Sequence, residues 1–161
     1  KTGVLRSAYM LGNGEEVMLA ATDLLAETKV APELSNEAHY YRAKAYLDAG
    51  KVEGAMDDLK ILAKDTRNIY GAEAKYKVAQ IYFDAGQTEQ AEKEVLDYIE
   101  VSTPHTYWLA RSFVLLSDVY MKLGRNLDAK QYLLSLKQNY QADDDIAGMI
   151  ESRLNKLNAE N

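Results

Sequence analysis

One phrase recurs three times in this 161-residue chain, and it constrains the fold more than any other feature. Residues 43–55 read AKAYLDAGKVEGA, residues 79–91 read AQIYFDAGQTEQA, and residues 117–129 read SDVYMKLGRNLDA. Tyr46, Tyr82 and Tyr120 precede Gly50, Gly86 and Gly124, and Ala55, Ala91 and Ala129 follow. The steps are 36 and then 38 residues. Self-similarity at this period signals stacked supersecondary units, each unable to bury its apolar face alone.

Each unit reads as a helical hairpin. From Ser35 to Ala49, apolar residues fall at Ala38, Tyr41, Ala45 and Tyr46, which is helical spacing rather than the alternation of a strand. Ser35 or Asn36 can cap the helix start, and Gly50 can close it in the left-handed conformation. A second helix then runs through Ala55, Met56, Leu59, Leu62 and Ala63. The third unit repeats the plan around Gly86, and the fourth around Gly124. Thr88 and Asn126 stand where they can cap the second helices, and Pro104 where a first helical turn tolerates proline. Ala43 and Ala79 before the glycines, with Ala55, Ala91 and Ala129 after them, let the two helices of a hairpin approach closely.

Composition removes several classes of function. Nineteen basic against 25 acidic residues leave a net charge of −6, unsuited to a nucleic-acid backbone or an anionic membrane surface. No cysteine is present, so disulfides and thiolate chemistry are excluded. No apolar run approaches the roughly 18–20 residues of a membrane helix, so direct membrane insertion is not expected. The chain shows no signal-peptide pattern and enters the helical stretch GVLRSAYML just after Lys1, which reads as a piece of a longer protein.

Signatures of catalysis are missing. There is no H-E-x-x-H, no phosphate-cradling glycine loop and no G-x-S-x-G elbow, and GNG at 12–14 reads as a turn. His39 and His105 lie in different units, and His39 reads as a cap-region or packing residue. Asp143, Asp144 and Asp145 lack the alternating ligands of a calcium loop and suit a helix entry instead. Glu92, Glu94 and Asp97 read as a solvated helix face. No catalytic, cofactor-binding or metal residue is expected, and the chain reads as a non-enzyme.

The pattern resembles the tetratricopeptide repeat family, with its small residue, tyrosine, glycine, alanine and large apolar residue in register. Counted back from the glycines, the units start at Asn36, Ala72 and Ala110, and place Leu59, Val95 and Leu133 at the large apolar position. The usual tryptophan site holds His39, Lys75 and Phe113, Arg42 replaces a common leucine, and the repeats exceed the usual 34 or so residues. The resemblance implies an all-α fold, a right-handed superhelical α-α solenoid of helical hairpins. One array over 1–161 would comprise a degenerate first repeat at 1–34, repeats at 35–71, 72–109 and 110–142, and a C-terminal capping helix at 143–161.

The same resemblance implies function. First helices of such arrays line an inner surface, and on this chain the groove-facing positions include Tyr40, Lys44, Leu47, Tyr76, Gln80, Phe83, Val114, Asp118 and Met121. Some family members grip a terminal carboxylate with lysine, asparagine and arginine, which Tyr40, Tyr76, Val114, Lys44, Gln80 and Asp118 do not reproduce. What remains is an aromatic stripe flanked by charge, suited to burying a protein or peptide segment. Tyr107 and Trp108 read as packing between repeats. The expectation is a scaffold module with a protein partner, the alternative being a homo-oligomerisation module. Long repeats and the tail SLKQNYQADDDIAGMIESRLNKL are similar in style to bacterial cell-envelope proteins, which implies a periplasmic or envelope-associated setting.

Overall fold

In the computed structural model, which describes residues 1–101 and 103–159, the recurring phrase is a single way of ending a helix. The elements are α1 (Thr2–Met10), α2 (Gly14–Leu25), α3 (Pro32–Asp48), α4 (Val52–Leu62), α5 (Ile69–Asp84), α6 (Thr88–Glu100), α7 (Thr106–Lys122), α8 (Asn126–Asn139) and α9 (Ile146–Ala159). No strand occurs among the described residues. Gly50 takes φ +74°, which is least costly without a Cβ. Its N–H reaches the Leu47 carbonyl at 3.1 Å, and the next N–H, of Lys51, reaches back to Tyr46 at 2.8 Å. These two bonds satisfy carbonyls that a helix C-terminus otherwise leaves open. The same pair of bonds recurs at Gly86, with Gln87 bonding Tyr82, and at Gly124, with Arg125 bonding Tyr120. It also recurs at Gly12, where Asn13 bonds Ala8, so the turn between α1 and α2 has the same form.

Helix starts depart from expectation. α3 begins at Pro32, ahead of Ser35 and Asn36, because proline presets the helical φ and lacks an N–H that would go unbonded there. Thr88 and Asn126 are the first helical residues of α6 and α8, not caps; Gln87 and Arg125 hold the cap positions and give no side-chain cap bond. The tight glycine turn leaves one residue as the cap position, and Lys51, Gln87 and Arg125 lack the short acceptor side chain that caps best. Pro104 lies outside α7, whose cap position is His105, and the His105 N–H bonds the Thr103 hydroxyl at 3.1 Å. Other starts do use side chains. Asn13 accepts from Glu16 N–H at 3.2 Å, and Asn68 accepts from Gly71 N–H at 2.8 Å. Ser102, Glu160 and Asn161, which the repeat and capping-helix expectations also cover, lie outside the described residues.

The chain divides into two compact units, Lys1–Lys75 and Tyr76 onward, with the division inside α5. In the first, α2 packs on α1 and α3, and α3 on α4. Its core holds Leu5, Ala8, Val17, Ala21, Leu24, Ala38 and Ala45, with Tyr41 packed against it. In the second, α7 packs on α6, α8 and α9, around Val95, Leu116, Val119, Leu133, Ile146 and Ile150. Each large aliphatic side chain buried in this way contributes about 1.5–3 kcal/mol. Ala43, Ala55, Ala79, Ala91 and Ala129 are all buried, as close helix approach requires.

Candidate functional site

The first helix of each hairpin carries the residues expected to face a groove. In the first unit those residues bond one another. Arg6 on α1 forks onto Glu37 on α3, through Nε at 2.6 Å and Nη2 at 2.8 Å. One hairpin later, Lys44 on α3 places Nζ 2.8 Å from Glu73 on α5. The Tyr40 hydroxyl donates to the same carboxylate at 3.1 Å, and Lys44 stands 5.3 Å from the Tyr40 ring centre. Burial first, then the Glu73 charge, pushes the Tyr40 phenol up to about 12. Tyr9 and Tyr41 stack at 4.1 Å, and Tyr70 packs 4.7 Å from Tyr40.

Behind this face lies a charged cluster within the α3–α4 hairpin. Asp58 is 1% exposed, yet it accepts from Arg42 Nε at 2.9 Å, from Arg42 Nη2 at 2.7 Å, and from His39 Nδ1 at 2.7 Å. Arg42 Nη1 also reaches the Thr22 hydroxyl on α2 at 3.0 Å, tying the hairpin to the preceding helix. Burial alone would raise the Asp58 pKa, but the bonds from His39 and Arg42 outweigh it and hold the carboxyl below its usual range. Sequence reading left Asp58 out because the partners stand 16 and 19 residues away. The signal was Arg42 at a position where an apolar residue is usual.

In the second unit the Tyr76 hydroxyl donates to Gln80 at 2.9 Å, and Gln80 donates to Asp84 at 2.8 Å. The Arg111 guanidinium lies over the Tyr76 and Trp108 rings, 5.1 and 5.7 Å from their centres. Trp108 itself packs 5.6 Å from Tyr76. Arg153 on α9 forks onto Asp118 on α7, Nε at 2.8 Å and Nη2 at 2.9 Å. The approach to α9 uses two of the three aspartates: Asp144 accepts the Ile146 N–H at 2.9 Å, and Asp145 accepts the Tyr107 hydroxyl at 2.8 Å. Beyond the Asp118–Arg153 pair an open cleft of about 430 Å³ is lined by Phe83, Asp118, Met121, Lys122 and Lys156.

No family model and no curated relative matches the sequence. Among solved structures, this chain is similar to a crystal structure from Podosopora anserina, a kinesin light chain with nearly identical TPR-like repeats. The TM-score is 0.62 at 13% identity, covering 98% of this chain and 91% of that chain. The fold is a tetratricopeptide-like α-α solenoid.

In this tetratricopeptide-like frame the nine positions expected to face a groove behave unequally. Val114 is 2% exposed and Tyr76 7%, so both pack inside the second unit. Tyr40, Lys44 and Asp118 are half-buried and bonded to neighbouring first helices or to α9. Leu47 is half-buried in the first unit, and Gln80 is held by Tyr76 and Asp84. Phe83 and Met121 are brought to one cleft. Lys122 and Lys156 complete it, and the sequence reading did not assign Lys156. Glu92, expected on a solvated face, meets Arg125 of the next hairpin at 3.4 Å. Among the described residues no group of three or more histidines or carboxylates forms a metal site.

Proposed function

We propose that this chain is a non-enzymatic protein-interaction module, and that a partner segment docks on the first-helix face of the second unit. Tetratricopeptide-like folds generally mediate protein–protein contact and are typically not enzymes, and the fold accounts for no more than that. The observation that carries the finer reading is the contrast between the two units. In both, charged and aromatic groups of this face bond one another, as Lys44 bonds Glu73 and Arg153 bonds Asp118. In the second, Phe83 and Met121 line a cleft of about 430 Å³ with two exposed lysines beside them. An apolar floor with a polar rim is the arrangement that buries a partner's side chain and still dissolves when empty.

The test is capture by the whole chain against a Phe83→Ala/Met121→Ala version. Both side chains are half-exposed, so helicity should match between the two. Loss of a captured partner on substitution supports the reading. Equal capture by both would place the function on another surface.

A further inference from the structure

The geometry points to a separate site in the second unit, a cavity of about 340 Å³ between α7 and α8 that takes a small soluble quaternary ammonium compound. It goes beyond the docking reading: none of the nine positions expected to face a groove lines it, and it shares no residue with the Phe83–Met121 cleft. Its wall is a row of rings. Tyr132 on α8 packs against both Phe113 and Tyr120 on α7, with centres 6.1 and 5.5 Å away. Counted from the turn glycines, the positions of Phe113 and Tyr132 correspond to His39 and Asp58 of the α3–α4 hairpin. Those two bond each other at 2.7 Å, so the α7–α8 hairpin carries two rings where α3–α4 carries an ion pair. The corresponding cleft beside Tyr46 presents that tyrosine as its one ring, among Lys51, Val52 and Glu53.

The electrostatics select the occupant, and the cavity already holds a cation of its own. The Arg125 guanidinium lies 4.3 Å from the Tyr120 ring centre. Its Nε donates to Asp128 at 2.8 Å, and its Nη1 to Glu92 on α6 at 3.4 Å. Two carboxylates thus share one guanidinium, and no other cation pairs with either among the described residues. One negative charge is left in surplus beside three rings. That surplus repels an anion, and a neutral apolar ligand would leave it unanswered. A quaternary ammonium group meets both demands, since its charge faces carboxylate and ring while its methyl groups ask for no hydrogen bond. Arg125 is the built-in competitor: its long side chain is half-exposed and free to swing off the Tyr120 ring.

The experiment is titration of the whole chain with choline at low salt, followed by the NMR signal of the choline methyl groups. The neutral isostere 3,3-dimethylbutan-1-ol is titrated in parallel. Choline should bind saturably and roughly tenfold more tightly than the isostere, as expected of a cation held by rings and carboxylate. Phe113→Leu/Tyr132→Leu should abolish binding. Asp128→Asn, at a half-exposed position, should weaken it about threefold or more with the fold intact, which keeps the test sound where the ring variant loosens the hairpin. Arg125→Gln should tighten it, because the competing cation is gone. Equal binding of the isostere would overturn the cation assignment, and so would weaker binding in Arg125→Gln. No saturable binding, or binding that both Asp128→Asn and the ring variant leave unchanged, would remove the site altogether. Capture of phosphatidylcholine vesicles without binding of free choline would overturn a soluble ligand.

Discussion

The Lys44 ammonium lies 2.8 Å from the Glu73 carboxylate, so a cation on one first helix is answered by an anion on the next. Arg6 and Glu37 repeat the arrangement one hairpin earlier, and Asp118 and Arg153 repeat it with the signs reversed. In each unit these pairs bond neighbouring elements in register. Charges on these helices therefore tie neighbouring helices together within each unit.

The pair in the first unit should show thermodynamic coupling. Lys44→Met keeps the apolar stem but leaves the buried Glu73 carboxylate short of a cation, and should cost about 1–3 kcal/mol. Adding Glu73→Leu should recover part of that loss. Urea denaturation of the two single variants and the double closes the cycle. Simple additivity would mean that the pair does not hold the helices in register.

Gly71 sits where backbone crowds it. A Cβ there would run into the Asp65 carbonyl oxygen and lie 2.6 Å from that of Leu62. Gly71→Ala should therefore destabilise by about 1–3 kcal/mol, since neither backbone atom can yield as a flexible side chain would. Gly148, inside α9, has nothing within 4 Å of its own Cβ position. Gly148→Ala should gain about 0.5–1 kcal/mol. Thermal denaturation of the two variants side by side checks both signs.

Asp58 should govern part of the response to acid. Its carboxyl is held below the usual range in the folded chain, so its contribution is complete above the unfolded pKa of about 3.9. It is lost as pH falls through the lower folded value. Stability measured by urea midpoint should drop below about pH 4, and Asp58→Asn should flatten that part of the curve. At neutral pH, Asp58→Ala should cost about 3–5 kcal/mol, because Arg42 is left half-buried without its partner. An unchanged acid limb in Asp58→Asn would assign the loss to other carboxylates.

The repeated turn was legible because its geometry is local. Gly50, Gly86 and Gly124 mark a left-handed residue, and Tyr46, Tyr82 and Tyr120 carry the carbonyls that the following N–H groups bond. The small residues at Ala55, Ala91 and Ala129 mark close helix approach in the same direct way. The caps were not legible, since Thr88 and Asn126 are good cap residues that the short turn moves inside the helix. The ion pairs were readable in principle: Lys44 and Glu73 lie 29 residues apart at positions that the resemblance expects to face a groove. Comparing signs between successive repeats, rather than reading each repeat alone, would have found them. Lys156 escaped because α9 falls outside the repeat register, and its place depends on the Arg153–Asp118 fork.

The proposed docking face is the Phe83–Met121 cleft of the second unit rather than the bonded Tyr40, Lys44 and Glu73 of the first. A photo-crosslinking residue placed at Phe83, and separately at Tyr40, tests it in cells that make the chain. A partner adduct is expected from position 83 and none from position 40. Equal adducts from both positions, or an adduct from position 40 alone, would contradict it.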